Sequence, residues 1–359
     1  MNIKSFAAIA VTVSAMAMVQ AAERNPWTHL NFDNDPEDFR FAIVPDRSGG
    51  DFRGAFTNAL KCVNMMRPEF VMTVGDIVQG VTTPDRLRKQ QIELTNFTST
   101  VKAPFFYVVG NHDITRSRPV YPLHHEDSSK VWREFYGDKT YYSFEYKRCL
   151  FMVVDTMSGR DSRKNQCAIT PEQYEWIYKT LAEKADVRWT FIFMHQPAVW
   201  DSSEWKRLEA STLANRKYTV FAGDWHSYVY AKRNGRDYYA LSVAGGCSAG
   251  NIYNSKELMG TEYGEFDHIT WVTMQKDGPT VVNLKLDGII PGNYLTQATT
   301  KSPVPHPVVD VPADPKVAEK MEQLKVAWDA KLAEFHKAKA EKSKKAKVKK
   351  TKKAKDKKQ

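Results

Sequence analysis

Five apolar runs in this chain each stop at a residue able to bind a metal ion, and that repetition narrows the folds open to it. Phe41-Ala42-Ile43-Val44-Pro45 runs into Asp46, Phe70-Val71-Met72-Thr73-Val74-Gly75 into Asp76, and Phe105-Phe106-Tyr107-Val108-Val109-Gly110 into Asn111-His112-Asp113. Phe191-Ile192-Phe193-Met194 runs into His195, and Thr219-Val220-Phe221-Ala222-Gly223 into Asp224-Trp225-His226. Short apolar runs of this kind read as strands. In open α/β sheets the carboxyl ends of the strands line one crevice, where ligands bind. Five such ends would gather Asp46, Asp76, Asp224, Asn111, His112, His195 and His226 at one edge. Clustered carboxylates repel unless protons or cations intervene, and with imidazoles beside them divalent metals satisfy the set. Any one of these residues alone would simply close a strand at the surface. Asp155, after the apolar stretch 150–154, is read that way. The Gly-led segments 75–76, 110–113 and 223–226, in one order, point instead to a site.

Between the runs, residues 54–66 and 83–100 read as helices, the second with Pro84 in its first turn. Thr170-Pro171-Glu172-Gln173 has the form of a capping box opening a helix to about Lys184. Residues 141–146 and 150–154 suggest a hairpin, 190–194 and 218–222 further strands, and 228–242, 266–275 and 280–287 mostly antiparallel β-structure. The mixture predicts an α/β sandwich of two packed sheets flanked by helices, in one folded domain over 22–299.

The ends differ in kind. Lys4, an apolar run from Phe6 to Val19 and Val19-Gln20-Ala21 form a signal-peptide pattern over 1–21, cleaved near Ala21. The run is short for a membrane span, and no Cys follows it for lipid attachment. A periplasmic or secreted protein with no transmembrane anchor after cleavage is expected. Five prolines mark a linker over 300–315, and a Lys-rich tail follows over 316–359. Val317, Met321, Leu324, Trp328, Leu332 and Phe335 fit an amphipathic helix, and the stretch from Lys342 is expected to be disordered. The tail carries 17 Lys against 6 acidic residues, +11 of a chain total of +10, so the rest is near −1. The basic pI therefore says nothing of the domain's own ligand; it points the tail toward anionic lipid, glycan or nucleic acid. Cys62, Cys149, Cys167 and Cys247 permit disulfides in an exported protein, with Cys149 and Cys167 the closest pair, and buried free thiols are equally open.

Taken together, the segments resemble the signature of the calcineurin-like metallophosphoesterases: D-x-H, G-D, G-N-H-D/E, a lone His and G-H-x-H. The resemblance spans about 41–287. It implies a four-layer α/β/β/α sandwich of two mixed sheets flanked by helices, two divalent metal ions (Mn, Fe or Zn) and hydrolysis of a phosphate-ester substrate. By resemblance Asp76 bridges both metals, Asp46 and His226 bind the first, and Asn111 and His195 the second, with Asp224 standing where the family has a His. His112 would face the leaving group, with Asp113 able to orient it. Arg47, beside a ligand and capable of bidentate contact, is the candidate grip on a phosphate oxygen. Two departures stand out. Asp46-Arg47-Ser48 lacks the His of D-x-H, a gap that Ser48, the Gln79 carbonyl or water would fill. Gln79 also occupies the position where purple acid phosphatases carry a Tyr, so no tyrosinate ligand is expected. The second departure is Asp224 itself. They keep two other classes in view: a binding protein that retained the fold without turnover, and an envelope or polyanion-binding protein acting through its tail. Residues 245–250 read as a flexible turn more than a phosphate loop, His124 and His125 as an exposed loop, and His268 as structural.

Overall fold

The computed structural model describes residues 30–288, with gaps at 50–53, 81, 115–124, 159–168, 248–260 and 262–263, together with 26 and 28. The expected signal peptide, linker and tail, along with Cys167 and His124, lie outside the described residues.

The strands sort into two sheets. One orders β11-β10-β1-β2-β3, from β1 (Phe39–Val44), β2 (Phe70–Thr73), β3 (Phe105–Phe106), β10 (His268–Gln275) and β11 (Gly278–Lys285). Here β1, β2 and β3 run parallel, and β10 is antiparallel to both its neighbours. The other orders β4-β5-β6-β7-β9-β8, from β4 (Tyr142–Tyr146), β5 (Cys149–Val153), β6 (Trp189–Phe193), β7 (Tyr218–Ala222), β8 (Val229–Arg233) and β9 (Arg236–Ala240). Its four inner strands are parallel and its two edges antiparallel.

The apolar runs lack polar alternation because both faces of each strand are covered. In β1, Phe39, Phe41 and Ile43 enter the space between the sheets, while Ala42 and Val44 face the helices. In β5, Phe151 and Val153 point inward, and Leu150 and Met152 outward. Helices α1 (Ala55–Met66), α2 (Pro84–Thr98) and α3 (His125–Tyr136) pack on the five-stranded sheet. Helices α4 (Pro171–Glu183) and α5 (Ser203–Ala210) pack on the six-stranded one. The four layers anticipated from the sequence are therefore present. Their centre is aromatic: Phe41 stacks on Phe70 at 5.2 Å between centroids, and Phe151 meets Phe70 edge-on at 5.0 Å. Each such ring contributes about 1.5–3 kcal/mol by burial.

Three local expectations are refined. The run 105–109 pairs only as far as Phe106, and the Val108 N–H donates instead to Thr73 Oγ1 at 2.8 Å. The capping box at α4 is half formed. Thr170 Oγ1 accepts from Gln173 N, but the Gln173 side chain leaves the cap to bind the Asp155 backbone at both N and O, each at 2.7 Å. Cys62, Cys149 and Cys247 are free thiols. Among the described residues no helix is long and apolar enough to cross a membrane.

The sheets meet at their carboxyl ends. After β9, Val243 bridges in parallel to both Asp46 and Asp267, with Ala244 N donating to Asp46 O and His268 N to Val243 O. One segment thus fixes the end of β1 against the second sheet, and the loops that carry the Asp and His residues gather there.

Candidate metal centre

Close approach of the loops explains the glycines that precede the polar residues. A Cβ on Gly110 would lie 2.3 Å from Asp76 Oδ1, and one on Gly223 2.2 Å from Asp46 Oδ1. Neither carboxylate could keep its place beside a larger residue. The backbone is also bent sharply: Asp76, Asp224 and His226 all have left-handed φ, of 54°, 66° and 52°. Among the described residues the other non-Gly residues with positive φ, Arg67, Lys147, Arg148 and Asn234, sit at a helix end and in two hairpin turns. Strain of about 1–3 kcal/mol at each of three site residues is the pattern of a functional loop cluster.

Asp46, Asp76 and His195 are all buried and bring ligand atoms within 4.8 Å of one another. His195 Nδ1 faces the Val74 carbonyl at 2.8 Å. A carbonyl only accepts, so Nδ1 carries a hydrogen and Nε2 points into the cluster, offering its lone pair there whenever the ring is neutral. Around Nε2 stand Asn111 Oδ1 at 3.1 Å, Asp76 Oδ1 at 3.3 Å and Asp224 Oδ1 at 3.4 Å. Ligands about 2.1 Å from one cation are about 3.0 Å apart in an octahedron and about 3.4 Å apart in a tetrahedron. The three oxygens stand at that spacing from His195 Nε2.

His226 repeats the device. Its Nδ1 donates to the Cys247 carbonyl, and its Nε2 lies 3.4 Å from Asp46 Oδ2. That places part of the Gly-rich stretch expected as a turn behind a ligand. Asp46 Oδ2 also accepts from Asp224 N at 2.9 Å, while Asp46 Oδ1 is buried with no hydrogen-bond partner. Ser48 Oγ, at the position of the missing His, donates to Asp76 Oδ2 at 3.1 Å.

The electrostatics express the same crowding. Burial raises the Asp46 carboxyl well above the usual range, and the neighbouring Asp76 adds to it. Burial would also raise Asp76, but His195 and His112 hold it below the usual range. Burial opposes a charged His195, yet Asp76 keeps that imidazole above its usual value, whereas burial pushes His226 down. An orphaned carboxylate oxygen and two imidazoles with their Nε2 atoms turned inward are what a divalent cation, displacing any proton there, would satisfy. The donor set of Asp46, Asp76, Asn111, His195, Asp224 and His226 fits one.

The remaining candidates fall differently. His112 borders the cluster: its N donates to Asp76 Oδ1 at 2.7 Å, its Nδ1 faces the Gln79 carbonyl at 2.6 Å, and its half-exposed ring brings Nε2 to 3.9 Å from Asp76 Oδ2. Asp113 does not reach that ring. Its carboxylate accepts from the backbone N–H groups of Asp76, Gly110, Ile77 and Val78, clamping two loops together. Burial and the nearby Asp76 push it up to about 7. The partner that orients His112 is therefore Gln79, by its backbone carbonyl. Arg47 has partners in the helix layer. Its guanidinium is sandwiched between Phe56 and Phe97, 5.1 Å from each ring centre, and pairs with Glu93 at 3.1 Å. These contacts tie the loop after β1 to the helix layer.

Two neighbours had no motif to announce them. Gln196, directly after His195, donates from Nε2 to Asp224 Oδ1 at 3.3 Å. Trp225, between two ligands, is partly exposed and rests edge-on against Trp200 at 5.9 Å. Only adjacency to His195 and His226 signals them. Asp155 and His268 are structural, as read. Asp155 accepts from Thr140, Met157 and Ser158, and His268 is fully buried with its pKa pushed down to about 4 by burial.

A sequence profile of the calcineurin-like phosphoesterases matches residues 49–240, more than half of the chain, and the protein belongs to that family. Asp46 lies just outside the matched stretch. Among curated protein sequences none matches. Among solved structures, PhoD is similar at 11% identity and a TM-score of 0.50, over 68% of each chain. The purple acid phosphatase PPD1 of yellow lupin (Lupinus luteus) seeds shares 14% identity and a TM-score of 0.51, over 71% of this chain and 52% of that one. A dimetal phosphatase from Danio rerio shares 12% identity and a TM-score of 0.49, over 69% of this chain and 96% of that one. At these identities the likeness is one of fold.

Proposed function

We propose that this protein is an exported, metal-dependent hydrolase of phosphate esters, with a two-cation centre on Asp46, Asp76, Asn111, His195, Asp224 and His226. The observation that carries the reading is the convergence of Asp76, Asn111 and Asp224 oxygens on His195 Nε2 within a calcineurin-like phosphoesterase fold. Bound cations would supply Lewis-acid stabilisation of the phosphoryl charge and an acidified water as nucleophile. The chain's own residues do the rest. Asp76 would hold cations through its carboxylate, with Oδ1 beside His195 Nε2 and Oδ2 accepting from Ser48. The Gln79 carbonyl holds one hydrogen on His112 Nδ1 and turns Nε2 toward the cluster, so that the imidazolium form would deliver its Nε2 proton to the leaving oxygen. Asp113 fixes the Asp76 and Asn111 loops at the required separation.

The signal pattern over 1–21 supports export to the periplasm or beyond, and the Lys-rich composition of 316–359 supports contact with polyanions. A second reading, a metal-binding protein without turnover, is favoured by one observation: Ser48 stands where the family has a ligand. Metal content and turnover of two variants separate them. Asp76→Asn should lose metal and hydrolysis together. His112→Ala should keep its metal while kcat falls by about 10²–10⁴. Absence of hydrolysis in a metal-replete wild-type protein would favour the binding protein.

A further inference from the structure

The two halves of the cluster are built unequally. On one side, three oxygens and one imidazole nitrogen already stand at ligand spacing, 3.1–3.4 Å from His195 Nε2. Two outer contacts hold that arrangement. Val74 O fixes the His195 ring, and the Gln196 amide fixes Asp224. Second contacts of this kind pre-organise a site.

The other side offers fewer donors. Asp46 Oδ2 accepts from the Asp224 N–H, and its partner oxygen Oδ1 is the one left unengaged. His226 Nε2 is 3.4 Å from Asp46 Oδ2. The third position belongs to Ser48, and its hydroxyl hydrogen is directed at Asp76 Oδ2, the oxygen that a bridging carboxylate would turn to this side. A neutral hydroxyl already donating to a carboxylate is a poor ligand. Gln79, another candidate for the gap, is also committed, since its Oε1 accepts from Gly49 N at 3.1 Å.

We infer that the cluster fills in sequence: one hard divalent cation, of the Mn²⁺ or Fe²⁺ class, binds tightly to Asp76, Asn111, His195 and Asp224, and a second binds weakly at Asp46 and His226 because Ser48 replaces a ligand there. Three oxygen donors in place of the two that a His at 224 would leave shift the tight half away from Zn²⁺, which imidazole suits better. The inference rests on the proposal that these side chains bind metal.

Full-length protein stripped with a chelator and dialysed against graded Mn²⁺, then separately Zn²⁺, tests it by bound metal per chain. With Mn²⁺ one equivalent should bind at least about tenfold more tightly than the second. Asp224→Ala should weaken the tight equivalent by more than the 10–100-fold typical of losing an outer contact. Asp46→Asn should deplete only the weak one. Asp224→His should raise Zn²⁺ affinity relative to Mn²⁺, and Ser48→His should bring the weak equivalent to within about tenfold of the tight one. Two equal equivalents in the unaltered protein, or loss of the tight one in Asp46→Asn, overturn the inference while leaving metal binding intact. Should Ser48→His fail to fold, those two measurements still decide. No binding of either ion would overturn the metal reading itself, and the inference with it.

Discussion

Gly110 lies so close to Asp76 that one methyl group tests the packing of the whole cluster. With a Cβ 2.3 Å from Asp76 Oδ1, Gly110→Ala must push the carboxylate aside. Its metal affinity should fall by at least about tenfold, measured by metal titration, with a far smaller change in unfolding midpoint. Comparable losses in both would mean that Gly110 serves the fold alone. At this scale the ligand candidates were legible because each lies at or just beyond the end of an apolar run. Arg47 was not. Its neighbour in sequence is Asp46, but its direction is set by Phe56, Phe97 and Glu93 on two helices that close over it. Asp113 misled for a related reason. It adjoins His112 in the chain, yet the free N–H groups of the turn at 76–78 lie nearer to its carboxylate.

Among the elements, α4 shows local sequence chemistry being overruled. Thr170 caps the helix as its type predicts, so Thr170→Ala should cost about 1 kcal/mol. Gln173 left the capping box for the Asp155 backbone, where its amide satisfies a buried N–H and a buried C=O. Removing it leaves both unpaired, at about 1–3 kcal/mol each. Gln173→Ala should therefore destabilise more than Thr170→Ala in urea unfolding, and the reverse order would refute the assignment. Strand β10 carries a pH-dependent contribution. His268 is buried neutral with a folded pKa of about 4, below the ordinary 6.5, so the unfolded chain binds more protons between those values. Its contribution is complete above about pH 6.5 and is lost as pH falls toward 4, by up to about 3 kcal/mol. His268→Phe should flatten the loss of stability between pH 7 and 4.5, measured by denaturant unfolding. An unchanged slope would assign the acid sensitivity elsewhere.

Across the whole molecule, the layered architecture was legible because both faces of its inner strands are apolar, so each sheet has to be covered on both sides. The strand order was not. Order depends on which runs pair across long stretches of chain, as when β10 joins β1, and on the single segment around Val243 that bridges both sheets. Nor could spacing alone show that Asp224 would meet Asn111 across His195, since that contact joins loops from different sheets. The Lys-rich tail stands apart in composition, so truncation after Asp314 should leave turnover of small soluble esters intact and abolish salt-sensitive binding to anionic vesicles. Lost turnover, or vesicle binding retained by the truncated protein, would contradict that division of labour.

The central claim is that phosphate-ester hydrolysis depends on cations held by this cluster. It is tested most directly by turnover of a panel of phosphate mono- and diesters, measured before chelation, after chelation, and after restoring Mn²⁺, Fe²⁺ or Zn²⁺. The account predicts hydrolysis of at least one ester that disappears with the metal and returns with it, and that Asp76→Asn never regains. Hydrolysis that survives chelation, or that Asp76→Asn retains at the wild-type rate, would contradict it.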